Sequence, residues 1–297
     1  MQVMIPIDLS GKIALVTGVG DNDSFAWFIA KHLQAAGARL LFSTHPRVLG
    51  IVESFLTREQ DADTRVLPYG KGELKPEKLI ACDVSFDSMD DVDEKTKTDR
   101  RYAKYGDFTI KGMMESIAKD YAAIDILIHS VAFSREITKT ARDTSRKAYL
   151  EALSISSYSL TGLLKAAAPL MANHADSASV VSLTYLGGER VIPHYGGGMS
   201  TAKAALQIDT KQLAQNYGKD NIRVNSISAG PYASRAARSI VNNFDQLIAH
   251  AAEHSPVPRP ITPDQVAAAC VFLCSPLAAA ITGQILYVDN GLNIMGA

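Results

Sequence analysis

A doubly wound α/β fold, with about seven parallel strands in the order 3-2-1-4-5-6-7 and helices on both faces, is what the sequence predicts. Three observations carry it. Short β-branched runs alternate with longer helical stretches, several of those runs are apolar nearly throughout, and a glycine-rich turn follows the first of them. Apolar runs without polar alternation suit parallel strands covered on both faces, and strand–helix–strand repetition closes into right-handed crossovers. No internal repeat or low-complexity linker divides the 297 residues, so one domain over 1–297 is expected.

The first strand is expected at Lys12–Thr17. Its end, Thr17-Gly18-Val19-Gly20, leads into a helix beginning near Ser24, with Ala26, Ile29, Ala30 and Leu33 at helical spacing. Glycines at such a turn let backbone approach a pyrophosphate, and free N–H groups at the helix start meet its charge. The second strand, Leu40–Ser43, runs into Thr44-His45-Pro46-Arg47. No carboxylate stands there to grip an adenosine ribose, and Arg47 suits a 2′-phosphate, so the residues leave NADH and NADPH both open. The third strand, Leu79–Asp83, ends in a carboxylate able to accept from an adenine amino group. The fourth, Ile124–Ser130, ends in Ser130-Val131-Ala132-Phe133, which should pass beside the cofactor. Strands follow at Ser179–Leu183, Ile222–Ser228 and Gln284–Val288, the last preceded by a helix carrying Val266, Ala269 and Cys270 on one face. Two polar stretches, near 56–78 and 87–107, read as solvated surface insertions. Pro231–Pro260 falls on the ligand side of such a sheet and reads as a substrate-covering segment.

Composition narrows the function. A net charge of −1 supplies no basic footprint for nucleic acid. No apolar run is long enough to span a membrane. Cys82, Cys270 and Cys274 form neither a disulfide framework nor a metal-ligand pattern. The N-terminus lacks signal-peptide or transit character, so a cytoplasmic protein is expected, or an organelle-matrix protein whose targeting segment has been removed. His250-Ala-Ala-Glu253-His254 resembles a zinc-peptidase string, but no further ligand or scaffold accompanies it, so no metal is expected.

The chemistry concentrates after the fifth strand. Ser182-Leu-Thr-Tyr185 is followed by Tyr195-Gly-Gly-Gly-Met199-Ser-Thr-Ala-Lys203. Glycines 196–198 read as a flexible lead-in, and Ser200 as the cap of a helix holding Lys203. A lysine in that first turn can hold nicotinamide-ribose hydroxyls, and its charge is expected to lower the pKa of a nearby phenol. Reducing a conjugated thioester requires hydride at Cβ and a proton donor at the carbonyl oxygen, where charge develops; Tyr195 suits that donor. Simple carbonyl reductases of this fold use Tyr-x3-Lys, yet Met199 stands at that lysine position and Glu189 at the equivalent place after Tyr185. That disfavours the alternative of a reductase for ketoacyl or hydroxy substrates, and the Tyr195–Lys203 pair disfavours a non-catalytic nucleotide-binding homologue.

With those residues assembled, the chain resembles the enoyl-acyl-carrier-protein reductases of the short-chain dehydrogenase/reductase superfamily, and within them the plant, chlamydial and apicomplexan subgroup. The resemblance runs from Ile7 to about Gly296. It rests on Asp143-Thr-Ser-Arg-Lys-Ala-Tyr-Leu, Ile155-Ser-Ser-Tyr-Ser, Tyr195 to Lys203, Arg223-Val-Asn-Ser-Ile-Ser-Ala-Gly-Pro231, and Ile281-Thr-Gly with Tyr287-Val-Asp-Asn-Gly291. It implies a Rossmann-like fold, NADH as cofactor, a trans-2-enoyl chain on acyl carrier protein as substrate, and a homotetramer. It implies Tyr195 as catalytic tyrosine, Lys203 as ribose-binding lysine and Tyr185 as the second tyrosine, lining the acyl pocket. Gly18, Gly20, Ser24 and Phe25 fall on the pyrophosphate turn, His45, Asp83 and Val84 by the adenine, and Ser130, Val131, Ala132 and Leu183 along the cofactor. Ala229, Gly230, Pro231 and Tyr232 are implied to bind the cofactor as well, and Pro231 to open the substrate segment. Phe133, Met199, Tyr232 and Ala236 join the two tyrosines around the acyl group. The chain departs from the subgroup at His45, where a tryptophan usually stacks on adenine. It departs also at Phe28, a usually small position, at Phe133, commonly asparagine, and at Tyr232, usually leucine or isoleucine.

Overall fold

The structure is a computed structural model describing residues 7–172, 176–235, 238 and 244–296. Seven strands form one sheet in the order β3-β2-β1-β4-β5-β6-β7. They are β1 (Ile13–Thr17), β2 (Arg39–Thr44), β3 (Lys78–Ala81), β4 (Ile126–His129), β5 (Ala178–Thr184), β6 (Ile222–Ala229) and β7 (Ile285–Val288). Every pairing is parallel. Each expected strand is present within a residue or two at its ends. β5 and β6 are buried at every position, because helices cover both faces and leave no solvent side for polar residues.

The helices used below are α1 (Phe25–Ala35), α2 (Leu49–Thr57), α3 (Ala62–Arg65), α4 (Glu94–Thr98), α5 (Arg100–Ala103), α6 (Ile110–Ala118), α7 (Arg146–Leu153), α8 (Ser159–Met171) and α9 (Met199–Tyr217). One face of the sheet packs α1 and the helix Pro263–Cys274, joining Trp27, Leu33, Val266 and Cys270 to Val16, Phe42, Ile128 and Val181. On the other face Met113, Leu163 and Leu206, from α6, α8 and α9, meet Leu15, Leu127, Val180 and Val224. Local chemistry sets the ends. Ser24 Oγ accepts from Trp27 N at 3.4 Å to start α1, and Thr262 and Gln265 form a capping box with Pro263 at the first helical position. Among the described residues no helix is long and apolar enough to cross a membrane.

The two polar stretches are mostly exposed or half-buried, and a few buried residues anchor each of them. In the first, Leu67 and Leu74 are buried, Arg65 donates to the carbonyls of Phe55 (3.1 Å) and Arg58 (2.7 Å), and Trp27 Nε1 donates to Thr64 O at 2.9 Å. The segment is a cover for α1. In the second, α4 and α5 lead to Tyr102, which is buried with Val92 and Phe108 against Ala81. Apart from the buried Arg65, their charged residues mostly face water while a few apolar side chains anchor each stretch, a pattern that bulk polarity hides.

Candidate active site

The strand order reverses between β1 and β4, and open α/β sheets bind ligands outside the carboxyl ends of the strands at that point. The backbone there is shaped for a close approach. Gly18 has φ +78°, and a Cβ on it would lie 2.1 Å from Ser130 O, so the end of β1 runs hard against the end of β4 and only glycine fits. Gly20 has nothing within 4 Å of where its Cβ would stand, leaving open space in front of the turn and the start of α1. Asp23 in that turn accepts a hydrogen bond from Tyr232 Oη, and Arg235 donates to Asn22 Oδ1 at 3.2 Å. Tyr232 packs against Phe25 at 5.3 Å between ring centroids and edge-on to Phe28 at 6.4 Å. Tyr232 therefore sits on the glycine turn that leads into α1. Two residues that depart from the subgroup, Phe28 and Tyr232, fill each other's space.

At the ends of β2 and β3 a polar cluster forms. Asp83, 6% exposed, accepts from Ser85 N at 3.0 Å and Tyr102 Oη at 2.9 Å, and His45 Nε2 lies 3.2 Å from the same carboxylate. Burial opposes the charge on Asp83, but the bond to His45, its attraction, and the bonds from Ser85 outweigh it and bring the pKa down to about 2. His45 Nδ1 lies 3.2 Å from Arg47 N on the other side of the ring. Val84 is buried beside this cluster.

At the ends of β4 and β5 the surroundings are drier. Tyr185 and Tyr195 meet edge to face, with centroids 5.0 Å apart and planes at 73°. Gly187 makes this pairing possible: a Cβ there would stand 2.7 Å from Tyr195 Cδ1 and 3.1 Å from Tyr185 Cδ1. Gly188 does the same for α9, since its Cβ would meet Ala204 N at 2.9 Å. Lys203, in the second turn of α9 and 5% exposed, donates from Nζ to Leu183 O at 2.7 Å. Its burial brings the pKa down to about 8.

Several sequence expectations change. The phenol of Tyr195 is pushed up, by burial and then by Tyr185, and is not lowered by Lys203; Tyr185 is likewise raised by burial, to about 12. Glycines 196–198 are no flexible lead-in. Gly196 N donates to Ile137 O at 2.8 Å and Gly197 N to Lys139 O at 3.1 Å, and a Cβ on Gly196 would lie 1.8 Å from Lys139 O. Ser200 is not the cap: Gly198 is, in the left-handed region at φ +86°, while Ser200 Oγ donates to Tyr195 O at 2.9 Å and ties the tyrosine to its helix. Met199 is 2% exposed and lies under Ser156 Oγ at 3.6 Å, so it supports the site from beneath and has no surface for an acyl group. Phe133 is 46% exposed; its N–H donates to Ser156 Oγ at 2.9 Å, in a π-helical turn, Ser154–Tyr158, that joins α7 to α8 and presents the serine inward.

Of the remaining expected residues, Leu183 and Ala229 are buried strand ends, and Gly230 N bonds Val288 O at 2.9 Å. Ser130, Val131 and Pro231 are half-buried and Ala132 is exposed along the same edge. Ala236 lies outside the described residues. His254 Nδ1 bonds His250 O at 2.8 Å, and among the described residues no group of three or more His, Cys, Asp or Glu is placed to hold a metal. Sequence reasoning missed Tyr102, Gly187 and Ser156. An aromatic inside a charged run and a paired glycine after Tyr185 were the available signals.

These residues fit a nicotinamide dinucleotide: a glycine turn at a helix N-terminus, a buried carboxylate at the adenosine end, and an ammonium with free N–H bonds at the other. The family model described as "Enoyl-(Acyl carrier protein) reductase" matches residues 105–293. A chloroplastic enoyl-[acyl-carrier-protein] reductase [NADH] of Arabidopsis thaliana is 48% identical over 98% of this chain and 74% of its own length. The FabI enzyme of Synechocystis is 36% identical over 98% of this chain and 99% of its own. A Plasmodium berghei enoyl-acyl-carrier-protein reductase, solved with triclosan, superposes with a TM-score of 0.91 at 39% identity, covering 96% of this chain and 98% of that one. An Anaplasma phagocytophilum reductase solved with NAD gives a TM-score of 0.79 at 30% identity, covering 100% and 99%. Agreement of this extent, along nearly the whole length of the chain, means that it belongs to the enoyl-acyl-carrier-protein reductase family.

Proposed function

We propose that this chain reduces the trans-2 double bond of an enoyl thioester carried on acyl carrier protein, with NADH, in fatty-acid elongation. The observation that carries the reading is the Tyr185–Tyr195 pair, 5.0 Å apart, next to a strand end whose Leu183 carbonyl holds Lys203. NADH, when bound, supplies the hydride that reaches Cβ of the acyl chain. The protein's part is to manage charge and protons. A phenol whose pKa is raised by burial keeps its proton at neutral pH, which makes Tyr195 a donor to the thioester carbonyl oxygen as negative charge builds there. Tyr185 buttresses that ring and lines the acyl side. An ammonium has three donors; with one committed to Leu183 O, Lys203 has the others for ribose hydroxyls. Gly18, Gly20, Ser24 and Phe25 receive the pyrophosphate, and His45, Asp83 and Val84 the adenosine. Ser130, Val131, Ala132, Ala229, Gly230 and Pro231 line the path between. NADPH remains an alternative dinucleotide, with Arg47 beside the adenosine end.

The assembled form in this reading is a homotetramer, which would cover exposed apolar residues such as Leu150 and Ile208. The chloroplastic relatives favour an organelle matrix over the cytoplasm as its place of work. The test follows NADH and NADPH oxidation with crotonyl thioester beside acetoacetyl thioester. Turnover of the enoyl compound alone is expected. Turnover of the ketoacyl compound alone, or dinucleotide binding without turnover, overturns the reading.

A further inference from the structure

We infer that Tyr102, from the stretch between β3 and α6, is a positioning residue for the adenosine end of the cofactor, acting with His45 on the Asp83 carboxylate. The inference rests on the dinucleotide reading above. Asp83 is the buried acid at the carboxyl end of β3, and Tyr102 reaches it from 19 residues further along the chain. Tyr102 Oη donates to Asp83 Oδ2 at 2.9 Å and lies 3.1 Å from His45 Nε2, so one hydroxyl touches both side chains. The His45 ring is thereby fixed at both nitrogens, by Arg47 N on one side and by Asp83 and Tyr102 on the other. It stands edge-on to Tyr102, with centroids 5.7 Å apart at 82°.

The tyrosine itself is held rigidly. It is 3% exposed, packs on Phe108 at 4.8 Å, and carries Arg47 over its ring at 5.4 Å. Asp99, whose carboxylate accepts from Arg101 N to start α5, is 3.9 Å from Arg47. The stretch thus ties the loop after β2 to the end of β3. A carboxylate offers about four lone-pair sites. Ser85 N donates to one oxygen, and Tyr102 Oη donates to the other with His45 Nε2 3.2 Å away, so the carboxylate that would meet an adenine amino group is held from both sides. A hydroxyl delivered by this stretch therefore aims the acid that reads the base.

Tyr102→Phe keeps the ring and removes only the hydroxyl. ADP-ribose, which carries the adenosine half without nicotinamide, serves as the probe, with inhibition measured against NADH. The expected result is a roughly tenfold rise in both the ADP-ribose Ki and the NADH KM, the usual scale for losing a bond to a charged group. At saturating NADH, kcat and the enoyl-thioester KM stay within twofold. Phe86→Leu, which alters the same small apolar cluster away from Tyr102, leaves the ADP-ribose Ki unchanged. An unchanged Ki in Tyr102→Phe overturns the inference, and so does a parallel loss in kcat and both KM values. If Tyr102→Phe does not fold, His45→Ala decides: a Ki within twofold of the parent overturns it. Failure of ADP-ribose to compete even with the parent protein removes the dinucleotide reading as well.

Discussion

The two ends of the cleft are built on opposite principles. At the ends of β2 and β3, where the adenosine is proposed to bind, Asp83, His45 and Tyr102 contact one another with no ligand present. At the catalytic end Lys203 has one carbonyl partner, and among the described residues the Tyr195 hydroxyl has no hydrogen-bond partner. The first arrangement gives rigidity, since a network whose members are all paired has a single preferred geometry. The second keeps donors in reserve. A proton donor tied to another acceptor cannot follow charge onto a substrate oxygen, and burial makes each unspent donor stronger there than in water. In the proposed function, the paired end would recognise the adenosine and the unpaired end would carry the chemistry.

Breaking the catalytic end should have the largest effect. Tyr195→Phe keeps the edge-to-face packing but removes the donor, and kcat is expected to fall by roughly 10²–10³. NADH binding, followed by fluorescence titration, should change little; equal losses in both would mean that the phenol holds the fold and not the reaction. Gly187→Ala comes next. Its Cβ would stand 2.7 Å from Tyr195 Cδ1, and displacing that ring by even part of an ångström is expected to cost roughly ten- to a hundredfold in kcat/KM. Unaltered kinetics would show that the tyrosine pair tolerates movement.

The pH dependence separates the two ends more gently. Burial brings the Lys203 pKa down to about 8, so the ammonium is present below that pH and lost above it. The NADH KM is expected to be flat up to about pH 8 and then to rise, approaching tenfold per unit. In Lys203→Met it should be high and insensitive to pH. The sign for folding without cofactor is the reverse: a lysine whose folded pKa is depressed costs stability while charged, and that cost is relieved as pH rises from about 8 toward the ordinary lysine value. The smallest catalytic effect belongs to the cover over α1. Arg65→Met leaves the Phe55 and Arg58 carbonyls without that donor, and should lower stability by about 2 kcal/mol in denaturant titration, with kcat and KM intact.

The periodicity that betrays parallel strands also locates their carboxyl ends, and hence the edge where Gly18, Asp83, Ser130 and Lys203 gather. Such features are local: a run of apolar residues, a glycine at a strand end and a lysine in a helix are each readable within a dozen positions. The short polar runs were harder. Residues 87–107 are charged enough to read as solvated, yet Tyr102 within them is among the most buried tyrosines of the chain. Glycines 196–198 read as flexible because glycine permits many conformations, whereas here each glycine admits a neighbouring backbone.

Amino-acid order alone determined the layered sheet, its likeness to one reductase family, and the tyrosine–lysine pair, because helical and strand periods and short motifs are properties of neighbouring residues. Only the folded chain decided which hydroxyl steadies Asp83, where Tyr232 points and how the Tyr195 phenol is tuned. Those outcomes depend on burial and on partners tens to hundreds of positions away. Desolvation and distant hydrogen bonds have no signature in the linear pattern.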